Sequence, residues 1–172
     1  MKVTCDRGEL VEAVGGVARV VPPRNPSDAL RCVHVVAEDG VLRLAATDAE
    51  IGLRLALERV AVDRSGEALV PADRFAEIVR SCDDASLVLE TDGHKLDVRA
   101  GSGHFVVIGM EPAEAYPVPA MPGDDAVVFG FTVDAGTLER LVSRAAIAAA
   151  TETSRYAING VLVQRAARQL RY

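Results

Sequence analysis

Acidic residues spaced for acid–base chemistry are the first feature to test in this chain of 172 residues. Asp48 and Glu50 stand two positions apart in the segment TDAE, a spacing that could bring two carboxylates together for general acid–base catalysis. The same pattern at the start of a strand is typical of an aspartate that caps a turn beside a solvent-facing charge. We favour the turn, and therefore predict no catalytic pair here.

The other residue types that commonly carry chemistry do not form a recognisable site either. Three histidines lack the ligand spacing of a zinc site: His34, His94 and His104. Three cysteines are an odd number without close pairing, and we expect them to be reduced and buried: Cys5, Cys32 and Cys82. The segment GSGHF lacks the lysine and the helix of a phosphate-binding loop, so it is predicted to be a hairpin turn. The sequence thus predicts a non-enzyme without a metal or cofactor.

Arginines on predicted helices are stronger candidates for a binding function. Arg140 and Arg144 lie one turn apart on the side of a predicted helix opposite its leucines and valines. Arg74 and Arg80 lie on the polar side of another predicted helix, which also carries acidic residues. Such arginines can bind phosphates, or they can simply form a solvated helix face, and both interpretations stay open. The net charge of −6 excludes a wholly basic surface but not a local basic one.

Two helices and a series of strands must position these side chains. Asp6 followed three residues later by Glu9 forms a capping box that predicts a helix start, and Pro22 and Pro23 are predicted to end this helix. Its predicted buried face is Leu10, Val14, Val17 and Val21. A second helix is predicted after Pro71, which suits its first turn. Its predicted buried face is Phe75, Ile78, Val79 and Cys82. Alternating β-rich runs predict the order β-α-β-β-β-β-α-β-β-β, in which strand, helix and three strands occur twice.

The opening phrase VTCDRGEL returns at Phe131 as FTVDAGTL. At a constant offset of 128 positions, identical residues recur without a gap: Thr4 and Thr132, Asp6 and Asp134, Gly8 and Gly136, Leu10 and Leu138, Val14 and Val142. The segment 109–125 contains four of the eight prolines and is typical of a linker. Tyr172 corresponds to Leu44 in this alignment, so we expect the second unit to be incomplete.

Six segments in this order resemble the bacterial DNA polymerase III beta sliding clamp: MKVTCDRGEL, GVLRLAATDAEIGL, LVPADRFAEIVR, EPAEAYP, FTV and SRYAINGVLV. The resemblance extends over essentially the whole chain. It implies an α+β fold of the DNA clamp (processivity fold) type, with two helices packed on antiparallel sheets in each domain. It also implies that residues 1–122 form a first clamp domain and residues 123–172 an incomplete second one.

The same resemblance implies a processivity factor of a bacterial replicative polymerase. Such a clamp is expected to encircle double-stranded DNA without sequence preference, to tether the polymerase, and to act in the cytoplasm without a membrane or a cofactor. The expected partners are DNA polymerase, clamp loader subunits and a second chain that closes the ring. Carried over by position, the resemblance places Arg24, Arg80 and Arg155 at the DNA and Ile158 in the partner-binding pocket. The alternative is a truncated clamp-like module that binds a replication or repair partner without closing a ring.

Overall fold

The structure is a computed structural model that describes residues 1–24, 26–111, 132–150, 160–166 and 169–171. The chain divides into two compact units, Met1–Ala120 and Met121–Tyr172. The helices of the first unit are α1 Arg7–Ala18, a short 3-10 helix Ala29–Arg31, and α2 Ala72–Ser81. Its strands are β1 Lys2–Asp6, β2 Cys32–Glu38, β3 Val41–Thr47, β4 Gly52–Leu57, β5 Val60–Arg64, β6 Gly66–Pro71, β7 Ser86–Asp92, β8 Lys95–Ala100 and β9 Gly103–Ile108. The described part of the second unit has α3 Ala135–Ala146, β10 Gln164–Ala166 and β11 Gln169–Arg171.

Two antiparallel sheets build the first unit, in the orders β5-β1-β7-β8-β9 and β4-β3-β2-β6. Each sheet combines strands from both halves of the unit, because β1 pairs with β7 and β2 pairs with β6. Along the strands, buried and exposed side chains alternate, as in β1 and β8. The buried side chains of both sheets join those of α1 and α2 in one hydrophobic core. The α+β fold class is therefore confirmed.

The predicted order of elements is confirmed except for one strand. We predicted four strands between the two helices, and the structure has five, because Val60–Arg64 forms β5. This strand pairs antiparallel with β1, with Val62 opposite Val3 and Val60 opposite Cys5. Only two residues separate β5 from the end of β4, so the sequence pattern alone does not indicate two separate strands. The pairing with β1, almost sixty residues away in the chain, is what makes it a separate strand.

The helix α1 begins as its sequence predicts. The Asp6 carboxylate accepts a hydrogen bond from the Glu9 backbone N–H at 2.9 Å, so the predicted N-cap is confirmed. The predicted end is wrong, because the α-helix stops at Ala18, before the prolines. The backbone N–H groups of the next three residues, Arg19–Val21, bond to carbonyls three positions back and form tighter turns.

The helix α2 begins one residue later than expected. Pro71 is the N-cap of α2 and the last residue of β6, instead of lying in the first helical turn. Phe75, Val79 and Cys82 are buried as predicted. Ile78 is only half-buried and packs against the edge of the core. The buried stripe fixes the rotation of α2 on the sheets, and so determines which of its charged residues face solvent.

The helix α3 corresponds to α1 in its length, its bounds and its N-cap. Both helices have 12 residues, and their first and last positions correspond at the offset found in the sequence. Asp134 accepts from the Thr137 backbone N–H at 2.8 Å, just as Asp6 caps α1. The burial of the two helices differs, however. Leu138 of α3 is 37% exposed, whereas its counterpart Leu10 is completely buried.

The segment TDAE forms the turn between β3 and β4. The Asp48 carboxylate accepts hydrogen bonds from the backbone N–H groups of Glu50 at 2.9 Å and Ile51 at 2.7 Å. The Thr47 hydroxyl is buried, donates to the Ile51 carbonyl and accepts from the Ala49 N–H. These bonds confirm that Asp48 caps a turn. The N–H groups of Ile51 and then Glu50 lower the pKa of the Asp48 carboxyl, because they stabilise its charged form.

We expect Asp48→Asn to make the stability of the first unit less dependent on pH in the acid range. A depressed folded-state pKa means that the carboxylate stabilises the fold above its ordinary pKa of about 3.9 and loses this effect as the pH falls through the depressed value. Asparagine keeps an acceptor oxygen but has no charge to lose. Urea unfolding from pH 2 to 7 measures the effect, and a constant difference between the two proteins at every pH would contradict it.

Candidate nucleic-acid interface

The helices α1 and α2 pack side by side and run antiparallel. At one end, the Arg7 guanidinium donates a hydrogen bond to the carbonyl of Arg80 at 2.9 Å. At the other end, Ala18 of α1 and Ala72 of α2 line the same small cavity. A cation near the carboxyl end of a helix is also favoured by the helix dipole, so Arg7 helps to hold α2 in place.

The solvent-facing side of this helix pair contains a shallow groove of about 560 Å³. We name it the helix-pair groove, and its lining residues are Val11, Glu12, Gly15, Gly16, Ala18, Arg19 and Arg80. The buried residues of α1 lie on the opposite side of the helix, against the sheets. The fold therefore presents the groove to solvent without using any of its polar side chains in the core.

Two arginines of the groove are exposed and make no ion pair with any residue that the structure describes: Arg19 and Arg80. Other arginines nearby are already paired. The Arg74 Nη1 atom lies 3.4 Å from the Glu77 Oε2 atom, and Arg59 forms an ion pair with Glu9. A guanidinium without an acidic partner keeps its donors available for an anion, and phosphate oxygens match its geometry well.

The sequence-predicted site residues occupy different parts of the chain. Arg80 lies in the last turn of α2, on the helix-pair groove. Arg24 is exposed in the loop after α1 and has no ion pair among the described residues. Arg140 and Arg144 are both exposed on α3, one turn apart. Arg155 and Ile158 lie outside the described residues.

Sequence reasoning missed Arg19 as a binding candidate. Only the packing of α1 against α2 brings Arg19 into one groove with Arg80. Glu12 lines the same groove, so its carboxylate reduces the positive potential of the two arginines.

The described residues form no metal site and contain no reactive cysteine that could serve as a second candidate site. They contain no group of three or more histidines, cysteines or acidic residues arranged to hold a metal ion. The three cysteines are buried, and burial raises the pKa of the Cys5 thiol to about 12 and that of Cys32 to about 11. Within the described ranges, no helix has the length and apolar character to cross a membrane. The helix-pair groove remains the best candidate site.

Two antiparallel helices backed by two antiparallel sheets define the class of DNA clamps. Residues 1–122 match the family model described as DNA polymerase III beta subunit, N-terminal domain. The chain belongs to this family, the bacterial beta sliding clamps. Members of the family are non-catalytic processivity factors.

Individual relatives agree with this assignment. The chain is 32% identical over 165 residues to the beta sliding clamp of Micrococcus luteus, a match that covers 95% of the chain and 51% of the relative. It is 33% identical over 167 residues to the beta sliding clamp of Caulobacter vibrioides, covering 95% of the chain and 43% of the relative. The chain therefore spans about half the length of these relatives or less.

Solved structures show the same similarity. The Caulobacter crescentus pol III beta structure superposes with a TM-score of 0.83 at 29% identity, covering 98% of this chain and 45% of that one. The DNA polymerase III subunit beta of Pseudomonas aeruginosa gives a TM-score of 0.80 at 31% identity, covering 95% of this chain and 43% of that one. Each superposition thus covers nearly all of this chain and less than half of the solved one.

Proposed function

We propose that this chain acts in a replication sliding clamp that encircles duplex DNA and tethers the replicative polymerase in the bacterial cytoplasm. In this proposal, residues 1–122 are the first clamp domain and residues 123–172 belong to a second. The observation that carries the proposal is that Arg19 and Arg80, on the solvent side of the two packed helices, are exposed and form no ion pair with the residues that the structure describes.

A ring needs only weak contacts with its DNA, because topology prevents the duplex from escaping. Contacts from arginine to phosphate are independent of sequence and exchange readily, so they allow sliding. Each unpaired arginine contributes one such contact without fixing a register. A polymerase bound to the same ring stays at a high effective concentration near the primer end, and this gives processive synthesis.

The outer strands of the two sheets, as the described residues form them, support assembly with neighbouring domains. The strand β9 is an outer strand of the five-stranded sheet, and its Val106 and Ile108 are 49% and 57% exposed. The strand β4 is an outer strand of the other sheet. An exposed edge with apolar side chains favours the addition of a strand from another domain. Two different edges on one unit favour head-to-tail assembly, which closes into a ring when the rotation per unit allows it.

Further contacts are proposed by position. Arg24, Arg140 and Arg144 are exposed and are proposed to contact phosphates as Arg19 and Arg80 do. Arg155 is proposed as another DNA contact, and Ile158 as a wall of the pocket that binds peptide motifs of the polymerase and the clamp loader. Both residues rest on the sequence resemblance alone. An Ile158→Asp variant that binds such peptides as well as the parent chain would remove this residue from the proposal.

Retention on circular DNA tests the proposal directly. The chain is incubated with a nicked circular plasmid, clamp loader and ATP, and the DNA is isolated by gel filtration before and after linearisation with a restriction enzyme. A clamp is expected to stay on the circle and to be lost from the linear form. Light scattering of the same preparation gives its subunit number.

Two controls make the result specific. The loader without ATP should leave the circle empty, and a plasmid blocked at both ends after linearisation should retain the protein. Equal retention on circular and free linear DNA would contradict encirclement and would favour the non-ring interaction module. Binding to neither form would contradict the proposed DNA function of this chain.

A further inference from the structure

We infer that Gly15 is a positioning residue that seats the side chain of Arg80 on α1, next to Arg19. This inference rests on the proposed function, because it assigns a role within the DNA-binding groove. Gly15 would not itself contact DNA. A residue no larger than alanine at this position leaves free the space that the Arg80 guanidinium occupies.

The Arg80 guanidinium lies close to position 15 of α1. A Cβ atom built on Gly15 lies 3.8 Å from the Arg80 Nη2 atom, which is an ordinary van der Waals distance. The Arg80 guanidinium therefore lies in the space next to position 15, where α1 has no side chain. Alanine fits into this contact unchanged, whereas a longer side chain would extend from Cβ into the space that the guanidinium occupies.

The backbone of α1 does not itself require a glycine at position 15. Gly15 lies in the interior of α1, where glycine is less favourable than alanine. It is not among the residues of the described chain with positive φ, so its backbone does not require glycine. The neighbouring Gly16 has a different reason, because a Cβ there would lie 3.0 Å from the Leu55 Cδ1 atom of β4. Gly16 thus serves packing against the sheet, and Gly15 faces Arg80.

With Arg80 lying beside position 15, two arginines from different helices share one phosphate-binding groove. Arg80 comes from α2 and Arg19 from α1, and both line the helix-pair groove. Arginine is a long side chain that loses rotamer freedom when it binds a phosphate. A guanidinium that already lies in the groove beside position 15 loses less rotamer freedom on binding, so its contact with a phosphodiester is expected to be stronger.

A double-mutant cycle between Gly15 and Arg80 tests the inference. Binding of the chain to a fluorescent duplex oligonucleotide is measured by anisotropy at low salt. Gly15→Leu is expected to lower the association constant about five- to tenfold, the effect of losing roughly one phosphate contact. Gly15→Ala is expected to leave it unchanged. In an Arg80→Ala background, Gly15→Leu is expected to have no further effect, because Gly15 acts through Arg80.

The Arg80→Ala background is the control for indirect effects of the leucine, and circular dichroism verifies that every variant is folded. An equal loss from Gly15→Leu in both backgrounds would overturn the inference. Unchanged binding by Gly15→Leu, while Arg80→Ala weakens binding, would overturn it and leave the proposed function intact. If Arg80→Ala itself has no effect, the groove is not the DNA site and both proposals fail.

Discussion

Replacing Arg19 and Arg80 together by alanine is expected to lower the association constant for duplex DNA about 100-fold at 50 mM salt. The physical reason is that each arginine that neutralises a phosphate releases a condensed counterion from the DNA. Two lost contacts should therefore also reduce the slope of log K against log salt concentration by about 1.8. Anisotropy titrations with the duplex measure both quantities. The titrations are repeated at salt concentrations from about 25 to about 200 mM.

Two single variants serve as controls for this prediction. Arg74→Ala removes a positive charge from the same helix as Arg80, but Arg74 is already paired with Glu77, so little change in affinity is expected. Glu12→Gln removes the negative charge that lines the groove, so a modest increase in affinity is expected. If Arg74→Ala weakens binding as much as the groove variant does, net charge and not the groove determines DNA binding.

Features governed by neighbouring residues could be predicted from the sequence. Asp6 caps α1 because its carboxylate reaches an N–H only three residues away. The turns before β8 and β9 contain glycines with positive φ, Gly93 and Gly101, a conformation that the turn residues of the sequence already indicate. The repeat also predicted the start of α3, because Asp134 follows the same capping rule as Asp6. In each case the chain segment that carries the signal also contains its interaction partner.

Features that depend on distant contacts could not be predicted in this way. The strand β5 exists because Val62 pairs with Val3, and no local pattern separates it from β4. Arg19 belongs to the candidate site because α2 packs beside α1, which brings Arg80 to it across sixty residues of sequence. The sequence of α3 has the same apolar pattern as that of α1. Its Leu138 is nevertheless exposed, since burial depends on what packs against a helix and not on its own residues.

Phe75→Ala is expected to lower the free energy of unfolding of the first unit by about 3–5 kcal/mol. Phe75 is completely buried and is among the largest side chains of the core. Removing its ring loses the transfer free energy of the ring and leaves a cavity that the surrounding strands can only partly fill. Because small domains are stable by only about 5–15 kcal/mol, this single change removes much of the total. Urea unfolding followed by circular dichroism measures the loss.

Two variants with smaller expected losses of stability serve as controls for the packing of Phe75. Phe75→Leu keeps most of the volume and should cost about 1–2 kcal/mol, and Ile78→Ala on the half-buried side of α2 should also cost less than Phe75→Ala. A loss below about 1 kcal/mol for Phe75→Ala would contradict a single core shared by α2 and the sheets.

The Phe75→Ala variant also links the fold to the site, because Arg80 reaches the groove only while α2 is docked. DNA binding by Phe75→Ala should therefore fall in proportion to the fraction unfolded as temperature rises, and binding that persists after α2 has melted would show that the docked helix is not needed.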